Sequence, residues 1–319
     1  MSLVGWLVLA ATGIGLIVWG AESFAEHLSV ASARLGVSTF ALAILLAGAE
    51  PEELATSVTA SLRHAPGIAL GDVIGANVAI CLVALGVGAV LAPLPFDLRV
   101  RRYALAGLPA GVLAAAVAWN GNISRLEGLV LVLAYVIFVG VIWRIERQPP
   151  ALGETGEIAE ARADQGVMPT RRVGRELLLV VAGVAAMAIG AMALVEGIRR
   201  ISNAESTQTR LGLIVVGFAT AFELVVLAWS SARRGITAAV VAGVIGSFTY
   251  NVTMTLGAGA LARPLRIEDP GALRGPWLGM LAALALVVVL AWRSRELERR
   301  AGWLLLFLYP VFVVAVLAL

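Results

Sequence analysis

The segment Ala47-Gly48-Ala49-Glu50-Pro51-Glu52-Glu53-Leu54-Ala55-Thr56-Ser57 places three glutamates and a proline inside an otherwise apolar stretch. A charge at bilayer depth costs at least ~2.5–3.5 kcal/mol, so acids there face protein or water and usually serve a function. Proline removes a helical donor, so we expect the helix to kink or break at Pro51. Acids beside a broken helix are how transporters present oxygen ligands to ions. A cytoplasmic helix end, where Glu and Pro are ordinary, is the alternative.

The composition of the whole chain is that of a polytopic helical membrane protein. Of its 319 residues, 60% are hydrophobic and 14% are charged, whereas a soluble domain carries about 25% charged residues. The N-terminus MSLVGWLVLA has no basic region before its apolar run, which predicts a first spanning helix and not a signal peptide. The lone Cys81 excludes a disulfide and a cysteine-based metal cluster. Arginines at helix ends explain the pI near 9.6, so we expect no nucleic-acid partner.

Charged, Gly and Pro clusters divide the sequence into hydrophobic segments on either side of one long polar stretch. The segments are 3–32, 37–62, 67–92, 102–119, 124–145, 175–198, 209–232, 236–262, 275–293 and 301–318. We predict a first five-helix repeat at 1–145, a cytoplasmic linker loop at 146–175 and a second five-helix repeat at 176–319. The predicted fold is therefore all-α, with ten transmembrane helices. An odd number of helices per repeat reverses the second repeat, which gives two inverted repeats.

The two halves resemble each other around their acidic helices. Alignment pairs Glu53 with Glu223, and the segment Val73-Ile74-Gly75 with Val244-Ile245-Gly246. With the N-terminus outside, most of the 24 basic residues fall in connections that face the cytoplasm. The positive-inside rule therefore favours a multi-pass protein of the cell (inner) membrane with its N-terminus outside.

Oxygen-bearing side chains recur in the paired segments. Residues three and four apart share a helix face, so Glu50, Glu53 and Ser57 are expected to lie together, as are Thr220 and Glu223. Such ligands without histidine or thiolate are hard and suit Ca²⁺, Mg²⁺, Na⁺ or H⁺. The predicted cation ligands are Glu53, Glu223, Glu50, Asn251, Ser247, Thr220 and Glu52, the last turned roughly 100° from Glu53.

These segments resemble the two alpha repeats of the calcium/cation antiporter superfamily, the sodium/calcium exchanger family in particular. The family pattern is Gly-Thr-Ser-x-Pro-Glu on one helix and Gly-Asn-x-x-Gly-Ser-Asn on the next. Gly48 to Glu53 keeps the first spacing, and Gly71-Asp72-Val73-Ile74-Gly75 is similar to the second. The second half keeps Phe222-Glu223-Leu224 and Val244-Ile245-Gly246-Ser247. The resemblance spans nearly the whole chain.

The chain also departs from that pattern. Ala49-Glu50 and Ala219-Thr220 stand where the family has Thr-Ser, and Glu52 and Phe222 replace its proline. Ile80 occupies a place where the family has a polar ligand, and its side chain cannot bind a cation. We expect at least one of the family's four ion positions to be lost, with Glu50 supplying compensating charge. Asp72 either relays ions or protons to the site or is an acid exposed to water at a helix start. Glu22 and Glu196 occupy matching places in the two halves, and they are either interfacial anchors or residues along an ion path.

The resemblance implies a secondary antiporter that exchanges Ca²⁺ or another divalent cation for Na⁺ or H⁺ by alternating access. Exchange of Mg²⁺ or a monovalent ion, and a non-transporting sensor on the same scaffold, are the alternatives. Neither a histidine pair, a nucleophile with its base nor a phosphate-binding loop is evident, so we expect no enzyme activity and no cofactor. The expected partners are inorganic cations and the lipid bilayer, and the sequence identifies no protein partner.

Overall fold

The computed structural model describes residues 2–34, 50–96, 98–146, 173–234 and 237–318, and these are almost entirely helical. The helices of the first half are α1 (Leu3–Arg34), α2 (Pro51–Leu62), α3 (Pro66–Ala79), α4 (Leu85–Leu91), α5 (Leu98–Ala118) and α6 (Arg125–Glu146). Those of the second half are α7 (Val173–Ile201), α8 (Glu205–Leu211), α9 (Gly217–Thr220), α10 (Phe222–Arg234), α11 (Thr237–Tyr250), α12 (Leu256–Ala262), α13 (Gly271–Ser294) and α14 (Arg299–Ala318).

Within the described ranges, three wider, π-helical turns join consecutive helices into longer rods. Ile80–Ala84 joins α3 to α4, Gly212–Val216 joins α8 to α9, and Asn251–Thr255 joins α11 to α12. Such turns are rare in proteins overall, but those that occur are often at functional sites, because the extra residue redirects side chains and backbone groups. The turns in α3–α4 and α11–α12 follow the paired Val-Ile-Gly segments, so they occupy corresponding places in the two halves.

Eight helical segments in the described ranges are long and apolar enough to cross a membrane. They are Leu3–Leu28, Pro66–Leu91, Val100–Ala118, Arg125–Ile145, Gly174–Ile201, Glu205–Arg233, Gly271–Trp292 and Arg299–Ala318. The outer helices carry large apolar side chains that are about two-thirds exposed, for example Val4 (67%), Leu178 (67%) and Phe307 (69%). Exposed apolar area on this scale marks contact with lipid. The chain is therefore an integral, multi-pass helical membrane protein.

Two of the predicted segments, 37–62 and 146–175, lie partly outside the described residues. The predicted segment 37–62 lies partly at 35–49, outside the described residues, and within it α2 begins at Pro51 with Glu50 as the preceding residue. Proline is favoured at the first helical position because that position needs no backbone donor. Glu50 is consequently not part of the helical face that its spacing predicted. Most of the predicted linker at 146–175 also lies outside the described residues.

The rod formed by α3 and α4 is the centre of the molecule. Every residue of α3 from Gly67 to Ala79 is buried. Helix α3 contacts α2 from its own half. From the other half it contacts α8, the π-helical turn Gly212–Val216, α9 and α13. The two halves are therefore interleaved around one core and do not form separate domains.

Helices α1 and α7 pack against each other along their length. A Cβ on Gly13 would lie 2.6 Å from the Gly190 carbonyl oxygen, and a Cβ on Gly20 would lie 2.7 Å from that of Gly183. Later glycines of α1 meet earlier glycines of α7, so the two helices run antiparallel. At one end a hydrogen bond joins His27 Nδ1 and Glu176 Oε2 over 2.8 Å. Glu176 is fully buried, so this contact fastens the pair away from water.

Short strands tie the loops of the two halves together at two places. β1 (Leu94–Pro95), which follows α4, pairs antiparallel with β4 (Glu296–Leu297), which precedes α14. β2 (Asn122–Ile123), which precedes α6, pairs antiparallel with β3 (Leu265–Arg266), which follows α12. Each pairing therefore joins the end of a central rod in one half to the start of the last helix in the other half.

We predict that Gly13→Ala lowers the thermal unfolding temperature of the purified protein in detergent. The added methyl would clash with the α7 backbone, and overpacking of this kind costs about 1–3 kcal/mol. The matched control is Gly15→Ala on the same helix, where an added Cβ meets nothing within 4 Å. That variant should unfold at or above the wild-type temperature, since alanine favours a helix over glycine. Equal unfolding temperatures for the two variants would contradict the close α1–α7 contact.

Candidate cation-binding site

Five carboxyl groups are withdrawn from water near the middle of the molecule. Glu50, Glu52 and Glu53 are each 2% exposed or less, and Asp72 on α3 is fully buried. Glu223 is half-buried as a residue, but both of its carboxylate oxygens are shielded from solvent. Glu52, predicted to be turned roughly 100° from Glu53, is buried, and its side chain contacts that of Glu50.

Helix breaks explain why the two paired glutamates lie where they do. Glu53 is in the first turn of α2, which starts at Pro51. Glu223 is in the first turn of α10, which starts after the non-helical residue Ala221. The N-terminal end of a helix carries partial positive charge and unpaired N–H groups, which favour an acid there. The second half thus breaks at the corresponding place without the proline of the first half.

One hydroxyl–carboxylate bridge joins α11 to the start of α2. The Ser247 hydroxyl donates a hydrogen bond to Glu50 Oε1. Ser247 also lies 3.1 Å from the Gly243 carbonyl oxygen of its own helix, and it is fully buried. The structure therefore brings together two of the predicted ligands from opposite halves of the chain.

A second bridge joins α9 to α3. The Thr220 hydroxyl donates to Asp72 Oδ1 over 2.9 Å, and both residues are buried. Thr220, predicted as a cation ligand, thus contacts an acid. Asp72 is not the water-exposed helix-start acid that was one of its two interpretations.

Glycines allow α3 and α9 to approach closely enough for this bridge. A Cβ on Gly217 would lie 2.4 Å from the Ala76 backbone nitrogen, and one on Gly75 would lie 2.1 Å from the Leu213 carbonyl oxygen. No other residue type fits at such a separation. The backbones therefore touch, and Asp72, one turn before Gly75, lies against Thr220.

The π-helical turn Asn251–Thr255 forms another side of the acidic cluster. The Asn251 side chain lies beside the Glu53 carboxylate, and its Oδ1 accepts a hydrogen bond of 3.4 Å from the Thr255 hydroxyl. Ser57 on α2 donates to the Thr255 carbonyl oxygen over 3.3 Å. Glu53, Ser57 and Asn251 are therefore held in one buried polar region, which α2 shares with the second half.

Two tyrosines missed by the sequence reasoning border the same region. The rings of Tyr135 on α6 and Tyr250 on α11 meet edge to face, with their centroids 5.2 Å apart. Both tyrosines are within electrostatic range of Glu50. Tyr250 directly precedes Asn251 and could have been suspected from that position. Tyr135 lies in an apolar helix far away in sequence, and no local pattern indicated it.

The remaining candidates lie apart from this cluster. Ile80 is fully buried at the start of its π-helical turn and offers no side-chain ligand. Glu196 forms ion pairs with Arg200 (2.7 Å), Arg199 (3.6 Å) and Arg63 (4.0 Å) at the far end of α7. Glu22 is exposed on α1. Glu196 is thus an anchor between α7 and the end of α2.

A water-accessible cavity of 740 Å³ opens at that end of the molecule. Its lining includes Ser61, His64, Arg125, Glu205 and Glu268. The Ser61 hydroxyl donates to the Ser57 carbonyl oxygen over 2.8 Å. The cavity therefore reaches to within one helical turn of the buried polar region.

The oxygen ligands that surround the buried acids suit a hard cation. In the described ranges, no three His, Cys, Asp or Glu side chains are arranged to hold a metal ion by themselves. Hydroxyl, amide and carbonyl oxygens would have to complete the coordination, as is usual for Ca²⁺ and Na⁺ and unlike zinc or copper sites.

A family model described as sodium/calcium exchanger protein matches residues 5–144 and 176–318, which is most of the chain. The chain belongs to the sodium/calcium exchanger family. Its members are secondary cation transporters, and the transported inorganic cations are accordingly its partners. The family resemblance read from the two acidic repeats is confirmed.

Individual relatives cover nearly the full length of this exchanger-family chain. The sodium/calcium exchanger MaX1 of Methanosarcina acetivorans is 26% identical over 358 residues, covering 98% of this chain and 99% of MaX1. The inner membrane protein YrbG of Escherichia coli is 25% identical over 306 residues, covering 93% and 92%. A solved structure of the sodium-calcium exchanger NCX_Mj matches with a TM-score of 0.63 at 22% identity, covering 98% of this chain and 99% of that one. The fold is therefore shared with a known exchanger.

We predict that Glu50→Ser, which restores the family's residue type, weakens divalent relative to monovalent cation binding by about tenfold, equivalent to about 1.4 kcal/mol. One negative charge leaves the cluster while a hydroxyl remains near Ser247. Calorimetric titration of the purified protein with Ca²⁺ and with Na⁺ measures this ratio. Glu22→Gln, an exposed acid outside the site, is the charge-matched control. An unchanged ratio in Glu50→Ser would argue against a compensating role for Glu50.

Proposed function

We propose that the chain is a secondary antiporter that exchanges Ca²⁺, or another divalent cation, for Na⁺ or H⁺ by alternating access. The observation that carries this proposal is the burial of acids from both halves, beside hydroxyl and amide oxygens, at the centre of a membrane protein. Two carboxylates neutralise one divalent ion. Unpaired buried carboxylates are costly, so the pocket has to hold either the divalent ion or its counter-ions throughout the cycle.

The proposed scaffold has ten transmembrane helices in two inverted five-helix repeats. The eight long apolar segments, together with α2 and the α11–α12 rod, supply that number. Three observations support the inversion: the antiparallel packing of α1 on α7, the corresponding π-helical turns, and the reciprocal pairings β1–β4 and β2–β3.

In the proposed site, Glu53 and Glu223 are the paired ligands. The surrounding ligands are Glu50, Ser247, Asn251, Thr220 and Glu52. Access would alternate as α1 and α7 slide together across the central rods and uncover the site first on one side and then on the other. The flat, glycine-lined contact between α1 and α7 supports their movement as one unit.

The proposed location is the cell (inner) membrane, with the N-terminus outside and the polar linker in the cytoplasm. The arginine distribution supports this orientation, and the similarity to YrbG, an inner membrane protein, supports the location. In this orientation the cavity near Ser61 opens to the outside.

Calcium uptake into proteoliposomes tests the proposal. We expect ⁴⁵Ca²⁺ to enter when either a Na⁺ or a pH gradient is imposed, and the two gradients applied separately identify the counter-ion. MaX1 is named as a sodium/calcium exchanger, which supports Na⁺, whereas the extra acids support H⁺. Absence of uptake under both gradients would overturn the calcium-exchanger proposal.

Variants in the same assay test the site. Glu53→Gln and Glu223→Gln should each reduce flux to the level of empty liposomes, because each removes half of the paired charge that balances the divalent ion. Glu22→Gln should transport like the wild type. Size-exclusion chromatography of each purified variant checks that it is folded and monodisperse. Undiminished flux in both site variants would show that the ligands lie elsewhere.

A further inference from the structure

One carboxylate oxygen of Asp72 is buried without a hydrogen-bond partner among the described residues. Asp72 is 0% exposed on the central helix α3. Its Oδ1 accepts the hydrogen bond from Thr220, whereas its Oδ2 is buried and has no hydrogen-bond partner among the described residues. Leaving a buried charged oxygen unpaired costs more than an ordinary hydrogen bond returns. The free side of Asp72 therefore calls for a group that the described residues do not supply.

The charge of Asp72 is coupled to the proposed cation site. Of the charged side chains that act on Glu53, Asp72 has the strongest electrostatic interaction with it. Both carboxylate oxygens of Glu53 are likewise buried without a direct hydrogen bond within the described ranges. Two neighbouring buried carboxylates repel each other, and a cation between them would remove that repulsion.

The two bridges between the halves exchange their chemical roles. In one, the acid Glu50 comes from the first broken helix and the hydroxyl of Ser247 from the opposing rod. In the other, the hydroxyl of Thr220 comes from the second broken helix and the acid Asp72 from the opposing rod. Glu50 and Thr220 occupy corresponding positions, so the acid comes from the broken helix in one bridge and from the rod in the other. Asp72 restores to the Thr220 side the carboxylate that Glu50 supplies on its own side.

We propose that Asp72 is a direct, selectivity-determining ligand of the transported cation, with Thr220 orienting its carboxylate. The inference rests on the proposed function, since it adds a ligand to that same site. Ile80 denies α3 a side-chain ligand at the family's usual place, and Asp72 gives this helix an oxygen donor two turns earlier. A purely structural Asp72 would instead serve only to hold Thr220 and would leave cation binding unchanged.

The isosteric variant Asp72→Asn separates these roles, because asparagine keeps an oxygen for the Thr220 hydrogen bond and removes the charge. We expect its Ca²⁺ affinity, measured by calorimetric titration of the purified protein, to fall by at least about tenfold, because ligand charge sets Ca²⁺ affinity. The unfolding temperature without cations should stay level or rise, since a buried charge is gone. Glu22→Gln is again the charge-matched control and should bind Ca²⁺ like the wild type.

The possible outcomes are distinct. Unchanged Ca²⁺ affinity in Asp72→Asn, with affinity lost in Glu53→Gln, would overturn the role of Asp72 and leave the proposed function standing. A wild-type protein that binds neither Ca²⁺, Mg²⁺ nor Na⁺ would overturn the proposed function itself. If Asp72→Asn does not fold, Asp72→Glu keeps the charge and moves it by one methylene. That variant should change the ratio of Ca²⁺ to Mg²⁺ affinity, and an unaltered ratio would count against the inference.

Discussion

The burial of several carboxyl groups inside a membrane protein is the constraint on which the rest of this structure depends. Glu53 and Asp72 are buried away from bulk solvent, so their charge has to be balanced by hydroxyls, amides and cations. The surrounding architecture serves this need. Broken helices bring their N-terminal ends to Glu53 and Glu223, and hydroxyl groups from the opposing half complete the surroundings. The stability of the folded chain and its capacity to bind ions are thus aspects of the same electrostatic balance.

Close backbone packing makes this balance geometrically possible. Where Gly75 and Gly217 bring α3 and α9 into contact, side chains as short as Asp72 and Thr220 can span the remaining gap. Longer separations would require longer, more flexible side chains and would admit water. Small residues therefore act on ion binding indirectly, by fixing how far apart the oxygen ligands stand.

Much of this arrangement could be predicted from the sequence, because local sequence patterns determine it. Hydropathy identified the membrane class, and the internal repeat paired Glu53 with Glu223 in advance of any coordinates. One error was local, whereas the other contacts were missed because they join distant parts of the sequence. Helical spacing put Glu50 on the face of α2, but Pro51 starts the helix one residue later. Asp72 and Thr220 are 148 residues apart, and Glu50 and Ser247 are 197 apart. Single-sequence patterns do not encode contacts over such separations.

The two ends of α7 are held by contacts of very different character. At one end, Glu176 is sealed from solvent against His27 of α1. At the other, Glu196 lies 4.0 Å from Arg63, the residue that follows α2, and the Glu196 and Arg63 side chains are 25% and 46% exposed to solvent. Salt screens exposed pairs and leaves sealed ones largely intact. Dissolved ions should therefore weaken the attachment of the α1–α7 pair to the core without separating the two helices. Higher ionic strength should accordingly make it easier for the pair to move relative to the core.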